Sequence, residues 1–320
     1  MAKHRKQRYK YKEKLGRRRK KSGLSTLMLT ASLGLFAVAV ILLVRYIIMT
    51  GNTKTLQAEL KESYAQASVS EAVKSASVKT NASQVQALPE VSFAPQGYQI
   101  EQPSATQEPA MSPEFVKLYG KNQDIVAWLK LESIDEIDFP ITQRDNSFYV
   151  SHDFYRRKSA AGAPFLDASC SVLPSSENMI IHAHNMKNGT MFGKLKHLLD
   201  EETLKNHPLA SFKTLYEDGT FVPFAVSVVS LDPSNERYVP LIKSEFQSLS
   251  EREQYIDSLI QFSSYSLPVD VLAQDELLTL ITCHGNEANE RLVVGYRRLR
   301  ENETPMEMEN YFKSKAKKIS

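Results

Sequence analysis

The 320-residue chain has little cysteine, only Cys170 and Cys283, and a single tryptophan. Two thiols allow at most one bridge, so disulfides are not what holds a fold of this size together. A Cys170–Cys283 bridge would also silence any nucleophile at Cys283. Acid is nearly absent from the first 21 residues, where Glu13 stands against twelve lysines and arginines, a net of +11. The whole chain carries +3, so the remaining residues carry about −8 and the basic character belongs to the tail alone. Charge is absent altogether from Ser22 to Val44. Large apolar side chains are scarce between residues 51 and 111, which argues against a packed core there. No second apolar run follows Leu299, so no anchor is expected at that end, and no internal repeat is visible.

What is present orders the chain. As a helix, the uncharged stretch would span roughly 30 Å of hydrocarbon. It is longer than the apolar core of a signal peptide and is followed by Arg45-Tyr46-Ile47 rather than a small-residue cleavage site. A transmembrane anchor is therefore expected over 22–49. The positive-inside rule puts the basic tail, 1–21, in the cytoplasm and the rest outside. That makes the tail a topology signal rather than a nucleic-acid-binding arm. Residues 50–111 read as an extracellular spacer, partly helical where Leu56, Leu60 and Tyr64 recur at spacing four, then interrupted by Pro89, Pro95, Pro103 and Pro109.

The domain proper is expected over 112–300. Ser112-Pro113-Glu114 opens a short helix closed by Gly120. Apolar runs at 125–131, 137–141, 163–166 and 178–181 predict strands. Helical spacing returns over 190–199, with Asp200 capping a second short helix. A hairpin is expected from 211–216 and 221–229 across the turn Glu217-Asp218-Gly219-Thr220. Ser250-Glu251-Arg252-Glu253 reads as a capping box opening a helix over Tyr255, Ile256, Leu259 and Ile260. Many short strands with few helices predict a mainly β fold, a closed or nearly closed barrel with helical insertions. Residues 301–320 read as an exposed polar tail.

Leu277 to Cys283 and Arg291 to Val294 are β-rich runs around a seven-residue polar loop, so a hairpin brings Cys283 and Arg291 to neighbouring strand ends. His182 and His184 follow the 178–181 strand and share a face if its geometry persists. Taken singly, each of these residues is as well explained by structure as by function. Together they cover nucleophile, proton donor and fixed cation: a thiolate attacks, an imidazole protonates a leaving amine, and a guanidinium stabilises an oxyanion.

The segments Leu280-Ile281-Thr282-Cys283 with Arg291-Leu292-Val293-Val294, and Ile180-Ile181-His182-Ala183-His184-Asn185-Met186 with Gly189-Thr190-Met191-Phe192-Gly193, resemble the two signature blocks of the sortases. The Met-Phe-Gly block and the late helix are most similar to class B. Further similarity lies in Tyr149-Val150-Ser151-His152-Asp153-Phe154 and Gly162-Ala163-Pro164-Phe165-Leu166-Asp167. The resemblance covers about 112–300. It implies an eight-stranded sortase β-barrel behind one transmembrane helix, on the outer face of a Gram-positive cell. It also implies a cysteine transpeptidase without a cofactor, with Cys283 as nucleophile, His184 as general acid/base and Arg291 stabilising substrate or oxyanion. Thr282, Asn185 and His182 stand beside these as substrate-contact candidates. The implied partners are secreted proteins bearing a C-terminal sorting signal, and a peptidoglycan-precursor or pilin amine as acceptor; nucleic acid is not among them. Two departures are visible: His182-Ala183 stands where the family commonly has Tyr-Gly, and the Cys-to-Arg loop is short. The alternative is a zinc hydrolase using His182 and His184, with Asp153, Asp167 or His284 as a further ligand.

Overall fold

The uncharged run lies inside helix α1 (Ala2–Asn81) of the computed structural model, which describes residues 2–81, 109–285 and 288–319. The chain divides into two units, Met1–Thr53 and Lys54–Ser320. In the first, Leu35 and Phe36 are 73% and 71% exposed, and the stretch is long and apolar enough to cross a membrane. The proline-interrupted part of the expected spacer, 82–108, lies outside the described residues.

In the second unit the remaining elements are α2 (Pro113–Lys121), β1 (Ile125–Leu131), β2 (Ile134–Thr142), β3 (Phe165–Leu166), β4 (Asn178–His182), α3 (Glu201–Lys205), β5 (Ala210–Thr214) and β6 (Asp218–Ser230). They continue with α4 (Leu249–Gln261), β7 (Tyr265–Ser266), β8 (Leu277–Cys283), β9 (Glu290–Arg298), α5 (Pro305–Lys315) and β10 (Lys317–Lys318). Eight strands close a barrel in the order β1-β2-β3-β4-β8-β9-β6-β5, while β7 and β10 pair separately. The β4–β8 and β2–β3 pairs are parallel and the other pairs antiparallel. Strand β8 is buried at every position from Leu277 to Thr282, and β4 from Asn178 to Ile181, which is why both read as unbroken apolar runs rather than alternating ones.

Several local expectations shift. Helix α2 passes through Gly120 and ends at Asn122, whose N–H bonds the Leu118 carbonyl. Residues 190–194 are not helical, because Met191 holds a left-handed φ of 55°, and only Leu195–Leu199 winds into a 3-10 turn. The hairpin turn is Leu215-Tyr216, with the Thr214 N–H on the Glu217 carbonyl at 2.8 Å, and Asp218-Gly219 already belong to β6. Gly219 is needed there for space: a Cβ would stand 2.5 Å from Cε2 of Phe221. The α4 cap is Ser248, accepting from the Glu251 N–H, two residues before the expected box.

The C-terminal segment, expected as an exposed tail, is folded. Thr304 and Glu307 form a capping box on α5, Phe312 is fully buried in the main core, and Lys317–Lys318 pair with β7. One aromatic at the right helical position anchors an otherwise polar run. The stripe at 56, 60 and 64 also has a partner. Leu60 is 2% exposed in a cluster with Phe115, Leu118, Ile125, Trp128, Phe154 and Leu215, and Tyr64 stacks on Trp128 at 4.1 Å with rings 9° from parallel. Lys61 pairs with Asp138 at 2.6 Å, and the same carboxylate accepts from the Trp128 indole N–H at 2.7 Å.

Candidate active site at the barrel rim

Strand pairing assembles the site. In the antiparallel β8–β9 ladder Cys283 is the direct partner of Arg291, and Ile281 of Val293. In the parallel β4–β8 ladder His182 is level with Ile281. Past β4 the Ala183 N–H still bonds the Ile281 carbonyl, which carries the segment bearing His184 alongside the end of β8. One rung thus holds Cys283 and Arg291 at the rim, and the rung two residues behind holds His182, Ile281 and Val293.

The rim is fastened from beneath. Asn185 donates to the Cys283 carbonyl at 2.9 Å, and the Thr282 hydroxyl to the Ala183 carbonyl at 2.8 Å. Thr282 is 2% exposed and faces away from the thiol, so it is a strap between β4 and β8 rather than a groove contact. The Cys283 side chain is exposed, while His184 and Arg291 are half-buried. Arg291 donates through Nη1 to the carbonyls of Ala288 (2.9 Å) and Glu290 (2.8 Å) and makes no ion pair among the described residues. Its charge is thus held by neutral dipoles and stays available to an anion. Within the Cys283–Arg291 loop, residues 286 and 287 lie outside the described residues.

Cys170 and Cys283 are both free. The Cys170 thiol sits 7% exposed under β4, donating to the Asn178 carbonyl and accepting from the Ile180 N–H, each at 3.4 Å. Burial pushes its pKa up to about 12, which leaves it protonated and inert at neutral pH. The two thiols differ in the way that separates a packing cysteine from a reactive one.

His182 meets Asp167, with Nε2 2.9 Å from Oδ2, and its ring lies over Phe165 at 5.2 Å. Burial works against the Asp167 charge, but hydrogen bonds from His182, the Ser169 N–H and hydroxyl, and Asn146 outweigh it and hold the carboxyl well below its usual range. His184 turns instead to the backbone, with Nε2 2.8 Å from the Val150 carbonyl. Asp153 is engaged by Arg157 at 2.8 Å. The donor set of a zinc site is therefore scattered, and among the described residues no group of three His, Cys, Asp or Glu is placed to hold a metal. The Val150 carbonyl is a contact of His184 that no sequence expectation included. Its only trace was the Tyr149–Phe154 motif itself.

The sortase-domain family model matches residues 129–298. The chain is 35% identical over 172 residues to a sortase B of Listeria monocytogenes, covering 53% of this chain and 67% of that protein. Against a Staphylococcus aureus sortase B it is 26% identical over 185 residues, 57% and 73% of the two chains. Among solved structures, Bacillus anthracis sortase B in complex with AAEK2 superposes with a TM-score of 0.59 at 25% identity, over 78% of this chain and 97% of that one. Clostridium perfringens sortase B gives 0.52 at 30% identity, over 57% and 98%. The barrel is thus that of a class of cysteine transpeptidases. The chain belongs to the sortase family, and within it to class B.

Proposed function

We propose that this protein is a membrane-anchored transpeptidase in which Cys283 is the nucleophile, His184 the general acid/base and Arg291 the oxyanion stabiliser. The observation that carries the reading is that β9 pairs Arg291 directly with Cys283 while the segment bearing His184 is held to the Cys283 carbonyl by Asn185. The thiolate attacks the carbonyl carbon of a peptide bond in a C-terminal sorting signal. The tetrahedral oxyanion develops beside the guanidinium, which makes no ion pair among the described residues. As the C–N bond breaks, the imidazolium gives its proton to the departing amine and a thioester remains on Cys283. A second amine, from a cell-wall precursor or a pilin lysine, then attacks the thioester, gives its proton to the neutral His184 imidazole and releases the Cys283 thiolate as the C–S bond breaks. Asn185 holds the backbone of the nucleophile, and His182 lines the groove one rung behind.

The N-terminal helix is the anchor in this reading, with residues 1–21 in the cytoplasm and the barrel outside. The test is cleavage of a fluorogenic sorting-signal peptide by the full chain in detergent, without added metal. Cys283→Ala should abolish it, and a thioacyl adduct should appear on Cys283 by mass spectrometry. Activity surviving in that variant, or lost on chelation, would overturn the transpeptidase reading in favour of a metal-dependent one.

A further inference from the structure

Two motifs remain without a task, Tyr149–Phe154 and Gly162–Asp167. Both converge on His184. The Val150 carbonyl, 2.8 Å from Nε2, can only accept, so Nε2 must carry the hydrogen. In the neutral ring this leaves Nδ1 as the basic nitrogen. In the imidazolium, Nε2–H keeps the same partner while Nδ1–H becomes the proton to be given. A fixed acceptor on one ring nitrogen selects the tautomer and the ring orientation, the service a carboxylate performs in a Ser-His-Asp triad.

The carbonyl is fixed by its own surroundings. Phe148–Val150 is a 3-10 turn, and the Tyr149 side chain within it is fully buried. The Tyr149 phenol donates to Asp124 at 2.6 Å and accepts from Asn122 at 2.9 Å, which ties the turn to the start of the barrel. From the other side, the Ala163 N–H bonds the Tyr149 carbonyl at 2.9 Å and the Ser159 N–H bonds the Ser151 carbonyl at 2.9 Å. Gly162 lies against this turn with a left-handed φ of 62°. A Cβ there would run into the Tyr149 carbonyl oxygen and stand 3.0 Å from that of Val150 and 3.2 Å from its carbon. Only glycine allows the two backbones to lie this close.

We propose that the Val150 carbonyl is the orienting acceptor of His184, and that Gly162 is a positioning residue that keeps it in place. The proposal rests on His184 being the acid/base group. Its experiment uses the full chain in detergent with ¹⁵N-histidine, reading the His184 tautomer from two-bond ¹⁵N–¹H correlations and assigning it by loss of the signal in His184→Ala. Wild type should show the neutral ring protonated at Nε2. Gly162→Ala should mix or reverse the tautomer and lower kcat by about 10- to 100-fold, the scale expected for a misplacement near 1 Å, with KM changed less than about threefold. Gly120→Ala, where a Cβ meets nothing within 4 Å, is the control. If Gly162→Ala does not fold, the wild-type spectrum together with Tyr149→Phe, which removes the phenol anchor and keeps the ring, carries the test. A wild-type ring protonated at Nδ1, or a folded Gly162→Ala or Tyr149→Phe with unchanged kcat and tautomer, overturns the proposal. Failure of the underlying reading would show separately, as peptide cleavage surviving His184→Ala, and the tautomer would still decide the orientation.

Discussion

Leu60 tests whether the part of α1 that follows the apolar run is part of the folded domain. It is 2% exposed among Phe115, Leu118, Ile125 and Trp128, on a segment whose composition is that of a spacer. In well-packed cores Leu→Ala costs about 2–5 kcal/mol. Here the low end applies, roughly 2–3 kcal/mol, because Leu60 is packed between a helix and the barrel surface, where Leu56 and Tyr64 can settle into part of the gap. The cost has a ceiling as well, since the helix can undock while the barrel stays folded. For a domain of this size the loss corresponds to roughly 5–10 °C in Tm. The chain's single tryptophan, Trp128, stacks on Tyr64 at this contact, so its fluorescence reports docking while far-UV circular dichroism reports the whole fold. Leu60→Ala should move the fluorescence midpoint in urea to lower concentration, and further than the dichroism midpoint if undocking comes first. Lys54→Ala, on an exposed position of the same helix, should do neither. A Leu60→Ala protein within about 0.5 kcal/mol of wild type, with unchanged emission, would mean that this helix does not pack on the barrel.

Arg291→Lys keeps the charge but cannot hold two loop carbonyls and face an oxyanion at once; kcat should fall by about 10²-fold with a smaller change in KM, and equal kcat would refute its role as stabiliser. Asp167 is held below its usual range by its hydrogen bonds, so it contributes stability that is present above the ordinary carboxylate pKa and lost as pH falls through the depressed value. The gap in urea midpoint between wild type and Asp167→Asn should therefore be largest near neutrality and shrink on acidification; a gap independent of pH would argue against the charge. Phe312→Ala empties a fully buried site under α5 and should cost about 3–4 kcal/mol by urea unfolding, whereas Met306→Ala, 71% exposed on the same helix, should cost almost nothing.

The sequence was most legible where structure is local. The runs that became β1, β4, β8 and β9 showed themselves as apolar stretches between polar turns, and a hairpin was enough to join Cys283 to Arg291. It was least legible where a partner lies far along the chain. The Leu56-Leu60-Tyr64 stripe was visible while the aromatic surface that receives it was not. The turn after β5 was displaced because Asp218-Gly219 carries a turn composition, yet that glycine is there to make room for Phe221. In the site, nothing local puts His184 beside Cys283. The parallel β4–β8 pairing brings their two segments together, and residue chemistry alone carries no trace of that pairing. A backbone carbonyl such as that of Val150 has no signature of its own.

The parallel pairing of β4 and β8 also sets the order in which reactivity can appear. The contact that fastens Asn185 to Cys283 spans 98 residues of chain, and β9 and α5 must still follow before the barrel closes and its end is covered. Closing a loop of that length comes late, because its entropy must be met by contacts that form only in the near-complete fold. In the proposed mechanism, a chain in which β4 and β8 have not yet paired carries the Cys283 thiol without the segment that bears His184.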